Sequence, residues 1–251
     1  MNLSINNQNN YKRINKSIIL ALLLIITTNV NAQWFGKKIR GNDNTVTKTR
    51  HVDDYDKIAV AGSFDIKLVA GTEGDIIITM DENLLEYLVT EVEGDKLKIR
   101  WEKGVNVYSN HKMLITIPFK DIDAVSLSGS GDIKNEDLIK ADNFRTSLSG
   151  SGDIKLMVDT NSLASAISGS GDISIKGNTN KLDCSIAGSG DFDGFKLTAN
   201  DVSIKISGSG DADVKASENL KVSIAGSGDV TYIGNPRQNV KISGSGSVSS
   251  R

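Results

Sequence analysis

From residue 55 onward, aliphatic and polar positions alternate along the chain. Ile58 and Val60, then Phe64, Ile66 and Leu68, then Ile76 and Ile78 lie two apart in runs flanked by glycine. Period two predicts β-strands, because successive side chains on an extended backbone point to opposite faces. Between Asp81 and Leu88 the pattern changes to a short helical turn, with Asp81 as its cap and Leu84, Leu85 and Leu88 on one face. Val89–Glu93 and Lys96–Trp101 then read as a hairpin joined by Gly94-Asp95, followed by Leu114, Ile115 and Ile117 before Pro118.

Further on, the alternation becomes a repeat. Gly-Ser-Gly-Asp stands at Gly129–Asp132, Gly150–Asp153, Gly169–Asp172, Gly188–Asp191, Gly208–Asp211 and Gly226–Asp229, and Gly244–Ser247 ends in serine instead. The copies start 18 to 21 residues apart. A near-fixed period of about 20 residues marks a stack in which each unit buries its apolar face only against its neighbours.

Aligned on the first glycine, the copies form columns. Two residues before it stand Leu127, Leu148, Ile167, Ile186, Ile206, Ile224 and Ile242; six before it stand Phe144, Leu163, Leu182, Val202 and Leu220. One residue past the last motif position stand Ile133, Ile154, Ile173, Phe192, Ala212, Val230 and Val248. All these offsets are even, so the aliphatic columns share one face with both glycines, and the serines and aspartates share the other. Glycines facing inward imply a strand that bends at a corner or a backbone lying close to another wall. Changes of repeat length fall between the columns, in stretches such as Gly177–Asn180 and Ala199–Asp201 that are rich in turn-forming residues.

The expected fold is therefore all-β: a parallel β-helix or solenoid with coils of about 20 residues. One domain is expected over residues 54–251, with an atypical β-rich N-terminal cap at 54–122 and regular repeats over 123–251. Within the cap, Ala61-Gly62-Ser63-Phe64-Asp65-Ile66-Lys67 reads as a degenerate copy of the motif. Residues 33–53, with Gly36, Gly41, Asn42, Asp43 and Asn44, read as a flexible extension.

The first 32 residues contain Lys12, Arg13 and Lys16, no acidic residue, an apolar run from Ile18 to Ile26, and Val30-Asn31-Ala32. This is the pattern of a cleaved secretory signal, with a run too short to span a bilayer. The expected location is exported: periplasm, outer cell surface or secreted, with no membrane-spanning segment after signal cleavage. The whole chain carries 29 Lys and Arg against 31 Asp and Glu, a net charge of −2. Removing a basic leader makes the remainder more acidic, which argues against nucleic acid as a partner. Cys184 is the sole cysteine, so an intrachain disulfide is excluded, and its column with Val125, Ile204, Val222 and Val240 makes it a buried, inert thiol.

Candidate chemistry is sparse. His51 and His111 lie outside the repeats without metal-ligand spacing, and no nucleophile elbow, phosphate loop or zinc motif is present. The outward column Asp132, Asp153, Asp172, Asp191, Asp211 and Asp229 is the one feature that could carry chemistry. Carbohydrate-active enzymes on β-helices use clustered carboxylates, but an active site is local, whereas this aspartate recurs coil after coil. A calcium ladder is the second reading of the column. The third is a polar face in which serine hydroxyls and backbone N–H groups donate to each carboxylate, and it is preferred because Ser130 and its counterparts share that face.

The repeated Ser-Gly-Ser-Gly-Asp-Ile units, the degenerate Gly62–Lys67, Asp81-Glu82-Asn83-Leu84-Leu85 and Val92-Glu93-Gly94-Asp95 together resemble the family described as "putative auto-transporter adhesin, head GIN domain", exported proteins common in Bacteroides relatives. The resemblance covers Tyr55 to the C-terminus. It implies a solenoid fold without catalytic residues and a role in adhesion, with no cofactor. Expected partners are a surface ligand, glycan or protein, and a second copy meeting the open strand edge at a solenoid end.

Overall fold

The computed structural model describes residues 36–251, and the expected signal at 1–32 lies outside them. Nineteen strands are present among these residues, seventeen of them in one continuous sheet wound as a solenoid of about seven turns. Each coil has one strand before the Gly-Ser-Gly-Asp corner and one after it. In the first regular coil these are β10 (Ala124–Gly129) and β11 (Asp132–Asn135). In later coils the strand after one corner runs on into the strand before the next, as in β12 (Ile139–Gly150), β13 (Asp153–Gly169), β14 (Ile173–Gly188), β15 (Phe192–Gly208) and β16 (Ala212–Gly226).

Neighbouring coils pair parallel and in register, so the sequence columns are physical columns. Leu127 pairs with Leu148, Leu148 with Ile167, Ile167 with Ile186 and Ile186 with Ile206, and all five are buried. The two residues of the aligned glycine pair explain the corner. The first glycine of every copy has φ between +127° and +144°, a conformation that side chains other than hydrogen disfavour. A Cβ on the second would lie 2.0–2.2 Å from the carbonyl oxygen of the equivalent glycine one coil earlier at Gly152, Gly171, Gly190, Gly210, Gly228 and Gly246. The backbone approached is thus that of the preceding coil, at a bend, and not the opposite wall.

The degenerate copy takes its place in the stack. Gly62 pairs with Gly129, and Phe64 occupies the position of the second glycine. Among the described residues no earlier corner lies beneath it, so an aromatic ring fits there: Phe64 is fully buried and packs on Trp101 with ring centroids 4.7 Å apart.

The N-terminal part departs from expectation in three places. Within the stretch read as a flexible extension, β1 (Lys37–Arg40) pairs with β8 (Val105–Tyr108), and β2 (Thr45–His51) pairs antiparallel with β5 (Asp75–Asp81). The signal for β2 is weak because most of its side chains face solvent. The turn after Asp81 is a 3-10 helix, Glu82–Tyr87, and Asp81 does not cap it. Its buried carboxylate instead accepts hydrogen bonds from Ser109 Oγ at 2.6 Å and from the His111 ring at 3.1 Å. The hairpin forms as expected, β6 (Leu88–Glu93) antiparallel to β7 (Lys96–Trp101). Strands β3 (Lys57–Gly62), β4 (Asp65–Ala70) and β9 (Leu114–Phe119) complete this part.

At the second corner of the coil, polar side chains stack. Asn180 Nδ2 donates to Asn161 Oδ1 at 2.8 Å, Asn200 Nδ2 to Asn180 Oδ1 at 3.4 Å, and Thr160 Oγ1 to Thr179 Oγ1 at 3.1 Å. Register shifts between β14 and β15 begin at Ser174–Gly177, and those between β15 and β16 at Gly194–Thr198, slightly earlier than the turn stretches that the sequence suggests. Strand β17 (Val230–Ile233) follows the corner that ends β16, and β18 (Arg237–Gly244) and β19 (Val248–Ser250) form the last coil, stacked on β16 and β17. There Val240 and Ile242 are 38% and 43% exposed, since no coil among the described residues stacks on them.

The Cys184 column holds two further residues, Thr146 and Ser165, both buried with hydroxyls that find no partner. Burial raises the Cys184 thiol far above its ordinary range, consistent with an unreactive group. Two outcomes follow. Gly190→Ala should cost several kcal/mol and lower the melting temperature sharply, because its Cβ meets fixed backbone, whereas outward Ser189→Ala should shift it little. Thr146→Val, which removes an unpartnered buried hydroxyl at constant shape, should raise stability by about 1 kcal/mol in urea unfolding.

Candidate functional site: a corner ladder and two outer grooves

At each corner the direction of backbone hydrogen bonding reverses. Ser189 and Gly190 N–H both donate back to Gly169 O, at 2.9 and 3.1 Å, while Phe192 N–H donates forward to Asp211 O at 2.9 Å. Between these opposite directions the aspartate amide lacks a backbone acceptor, and the preceding aspartate side chain supplies one. Asp191 N–H donates to Asp172 Oδ1 at 2.9 Å, Asp211 to Asp191 at 2.8 Å and Asp229 to Asp211 at 2.7 Å. Asp153 N–H donates to Asp132 Oδ1 at 3.3 Å, and Ser247 ends the series by donating its N–H and Oγ to Asp229 Oδ1 at 2.7 and 2.9 Å.

The aspartate column is thus a hydrogen-bonded ladder, interrupted at Asp153, whose carboxylate accepts from Lys155 rather than from the Asp172 amide. Its principal donors are backbone amides, and among the motif serines only Ser247 contributes a hydroxyl, so the expected role of Ser130 and its counterparts is corrected. Ser130, Ser151, Ser170 and Ser189 sit on the exposed side of the bend. Among the described residues, no three His, Cys, Asp or Glu side chains group as a metal site. His51 stands at the end of β2 beside Asp75 at 2.9 Å, and His111 lies in the loop before β9.

Past the corner, the ladder lines one side of a shallow acidic groove. Asp172, Asp191, Asp211 and Asp229 are joined there by Asp193 and Asp213, and Lys155 pairs with Asp153 at 2.9 Å. Burial, reinforced by the nearby Asp193 charge, raises the Asp213 carboxyl above its ordinary value.

Before the corner, the outer face carries a second groove of different character. Register places Lys96, Lys57, Ala124, Arg145 and Ala164 side by side on successive strands. The alanines leave dips between long cationic side chains, and Ser126, Ser147, Asn143 and Ser162 add polar lining. Lys57 pairs with Asp95 at 2.5 Å, a hydrogen bond that raises its pKa, and Asp123 stands nearby. A further groove shares Arg145, Ser147 and Ala164 and continues over Ala166, Ser185 and Ser203. Sequence reading did not find this assembly. Residues 57, 96 and 145 lie in different segments, and only the stacking register unites them.

Against known proteins, residues 54–236 match the family model "Putative auto-transporter adhesin, head GIN domain". The chain belongs to this family. Three solved structures are similar to it. A "putative adhesin" from Bacteroides fragilis NCTC 9343 is 23% identical with a TM-score of 0.79, over 85% of this chain and 100% of that one. A "putative lipid binding protein" from Parabacteroides distasonis ATCC 8503 is 28% identical with a TM-score of 0.73, over 86% and 100%. A "putative adhesin" from the same strain is 28% identical with a TM-score of 0.70, again over 86% and 100%. A comparison with curated protein sequences finds no match. As in the sequence reading, the head GIN domain family brings a solenoid and an adhesin name. Among the described residues no helix is long and apolar enough to cross a membrane.

The ladder makes a specific demand on its side chain. Asp191→Ala should leave the Asp211 amide without its acceptor and cost about 1–3 kcal/mol, while Asp191→Asn keeps an acceptor oxygen and should cost less. Melting curves of both variants, with and without calcium, check this. The expected result is this order of stability and no dependence on calcium, whereas a melting temperature that climbs with calcium would make the column a metal site.

Proposed function

We propose that this chain is an exported, non-enzymatic adhesion module that holds an extended ligand on the outer face of the solenoid, at the cell surface or envelope. The supporting observation is how the polar groups are used. The repeated carboxylates serve the corner amides, and the feature left over is a pair of adjoining grooves that cross several coils on one face. A stack of parallel strands presents such a face as a row of near-identical stations about 4.8 Å apart, suited to a ligand that is itself a polymer.

The family name and the adhesin names of two similar structures support a binding role over a catalytic one. One similar structure bears a lipid-binding name. In this chain the solenoid interior is filled by the buried aliphatic columns, so an acyl chain has no cavity there to enter, and the outer grooves carry cationic, amide and hydroxyl side chains that a polar ligand can engage.

The test is an array of neutral and acidic glycans probed with the protein lacking residues 1–32, run beside a reducing-end assay on every glycan retained. Selective retention of one glycan class without new reducing ends is the expected result. Turnover would replace this reading with a carbohydrate-active enzyme.

A further inference from the structure

We infer that the groove around Ala124 is a binding site for the carboxylates of an acidic polysaccharide, a polymer of uronic acid units. This deepens the adhesion reading and rests on it.

Among the described residues, neither Lys96 nor Arg145 has a carboxylate partner within ion-pair distance, whereas Lys57 is neutralised by Asp95 and Asp123, and Asp183 further along by Lys181 at 2.8 Å. The groove therefore holds two cations outside any direct ion pair, Lys96 standing opposite Glu93 across the hairpin, in a chain whose net charge is −2. The opposite side of the corner holds the aspartates. An anionic polymer is thus attracted to one face of the coil and repelled from the other, so its position is selected by field as well as by contact.

Lys57 and Arg145 flank Ala124 on either side, two strand spacings or about 10 Å apart, with Lys96 one strand beyond Lys57. That opening admits a pyranose ring between cationic walls, and a guanidinium can grip a carboxylate through two parallel N–H donors. Ser126 and Ser147, on neighbouring strands of the same face, offer hydroxyls to the polar edge of a ring. Beyond Arg145 the groove continues over Ala164, Ala166, Ser185 and Ser203, with Asp183, held by Lys181, beside Ala164 and the cationic Lys205 beside Ser185. A small isolated anion would use only the cations; the continuing hydroxyl-lined floor is what a polymer would use.

The experiment is a titration of the protein lacking residues 1–32 with oligogalacturonate and with its methyl ester, which has the same rings without the charge. Oligogalacturonate should bind and the ester should bind at least tenfold more weakly, with affinity falling as salt rises. Arg145→Ala and Lys96→Ala should each weaken oligogalacturonate binding roughly tenfold, the loss of one charge-assisted contact. Arg145→Lys should recover part of the loss, and Lys176→Ala, past the corner, should change nothing. Unaltered melting temperatures would show that the variants are folded. Absence of oligogalacturonate binding, equal binding of acid and ester, or full affinity in Arg145→Ala and Lys96→Ala would each overturn the inference. Retention of only neutral glycans on the array would sink it while leaving the adhesion reading intact; an array that retains nothing would sink both.

Discussion

The fold depends on one close approach, backbone upon backbone at the glycine corner. With a Cβ at the second glycine the gap to the preceding coil would be 2.0–2.2 Å, so the bend can be stacked only where that position has no side chain. Once corners stack directly, neighbouring coils are held in register over their length, and the buried columns of leucine, isoleucine and valine follow. The aspartate column has the same origin. It exists because hydrogen bonding reverses at the bend and strands one amide per coil, which a side chain of the right length can satisfy.

Register has a second effect, on the surface. Strands that align core residues also align whatever lies on the outer face, so Lys96, Lys57 and Arg145 become neighbours although the chain places them far apart. The corner then divides the surface electrically. Carboxylates gather after it, and the cations of the groove stand before it. A molecule with a net charge close to zero thereby presents two unlike faces.

The repeat part of the fold was legible because its columns are uniform: even offsets, an aliphatic residue two before each glycine, and a motif that hardly varies. Less legible were the elements that use exposed or single-copy residues. Strand β2 places few residues in the core and so lacks the alternation that marks a buried strand. Asp81 reads as a helix cap by position, yet its carboxylate is buried against Ser109 and His111, partners that come from a distant loop. Thr146 and Ser165 stand in a column otherwise filled by valine, isoleucine and cysteine, and nothing in their neighbours along the chain announces that they are buried. The groove was illegible for a similar reason, since a surface column has no periodic signal when its members alternate between alanine, lysine and arginine.

The aspartate ladder also gives the stack a direction in time. Every carboxylate of the column except that of Asp153 waits for an amide that lies 18 to 21 residues further along the chain. A coil therefore completes the corner of the one before it and leaves its own corner open until the next coil arrives. Growth by such local closures needs no contact between distant parts of the chain, which keeps the entropic cost of each step that of a short loop. A polypeptide emerging from its N-terminus can thus wind up coil by coil upon the Phe64 and Trp101 end, and its last turn closes with a serine in the place of the aspartate.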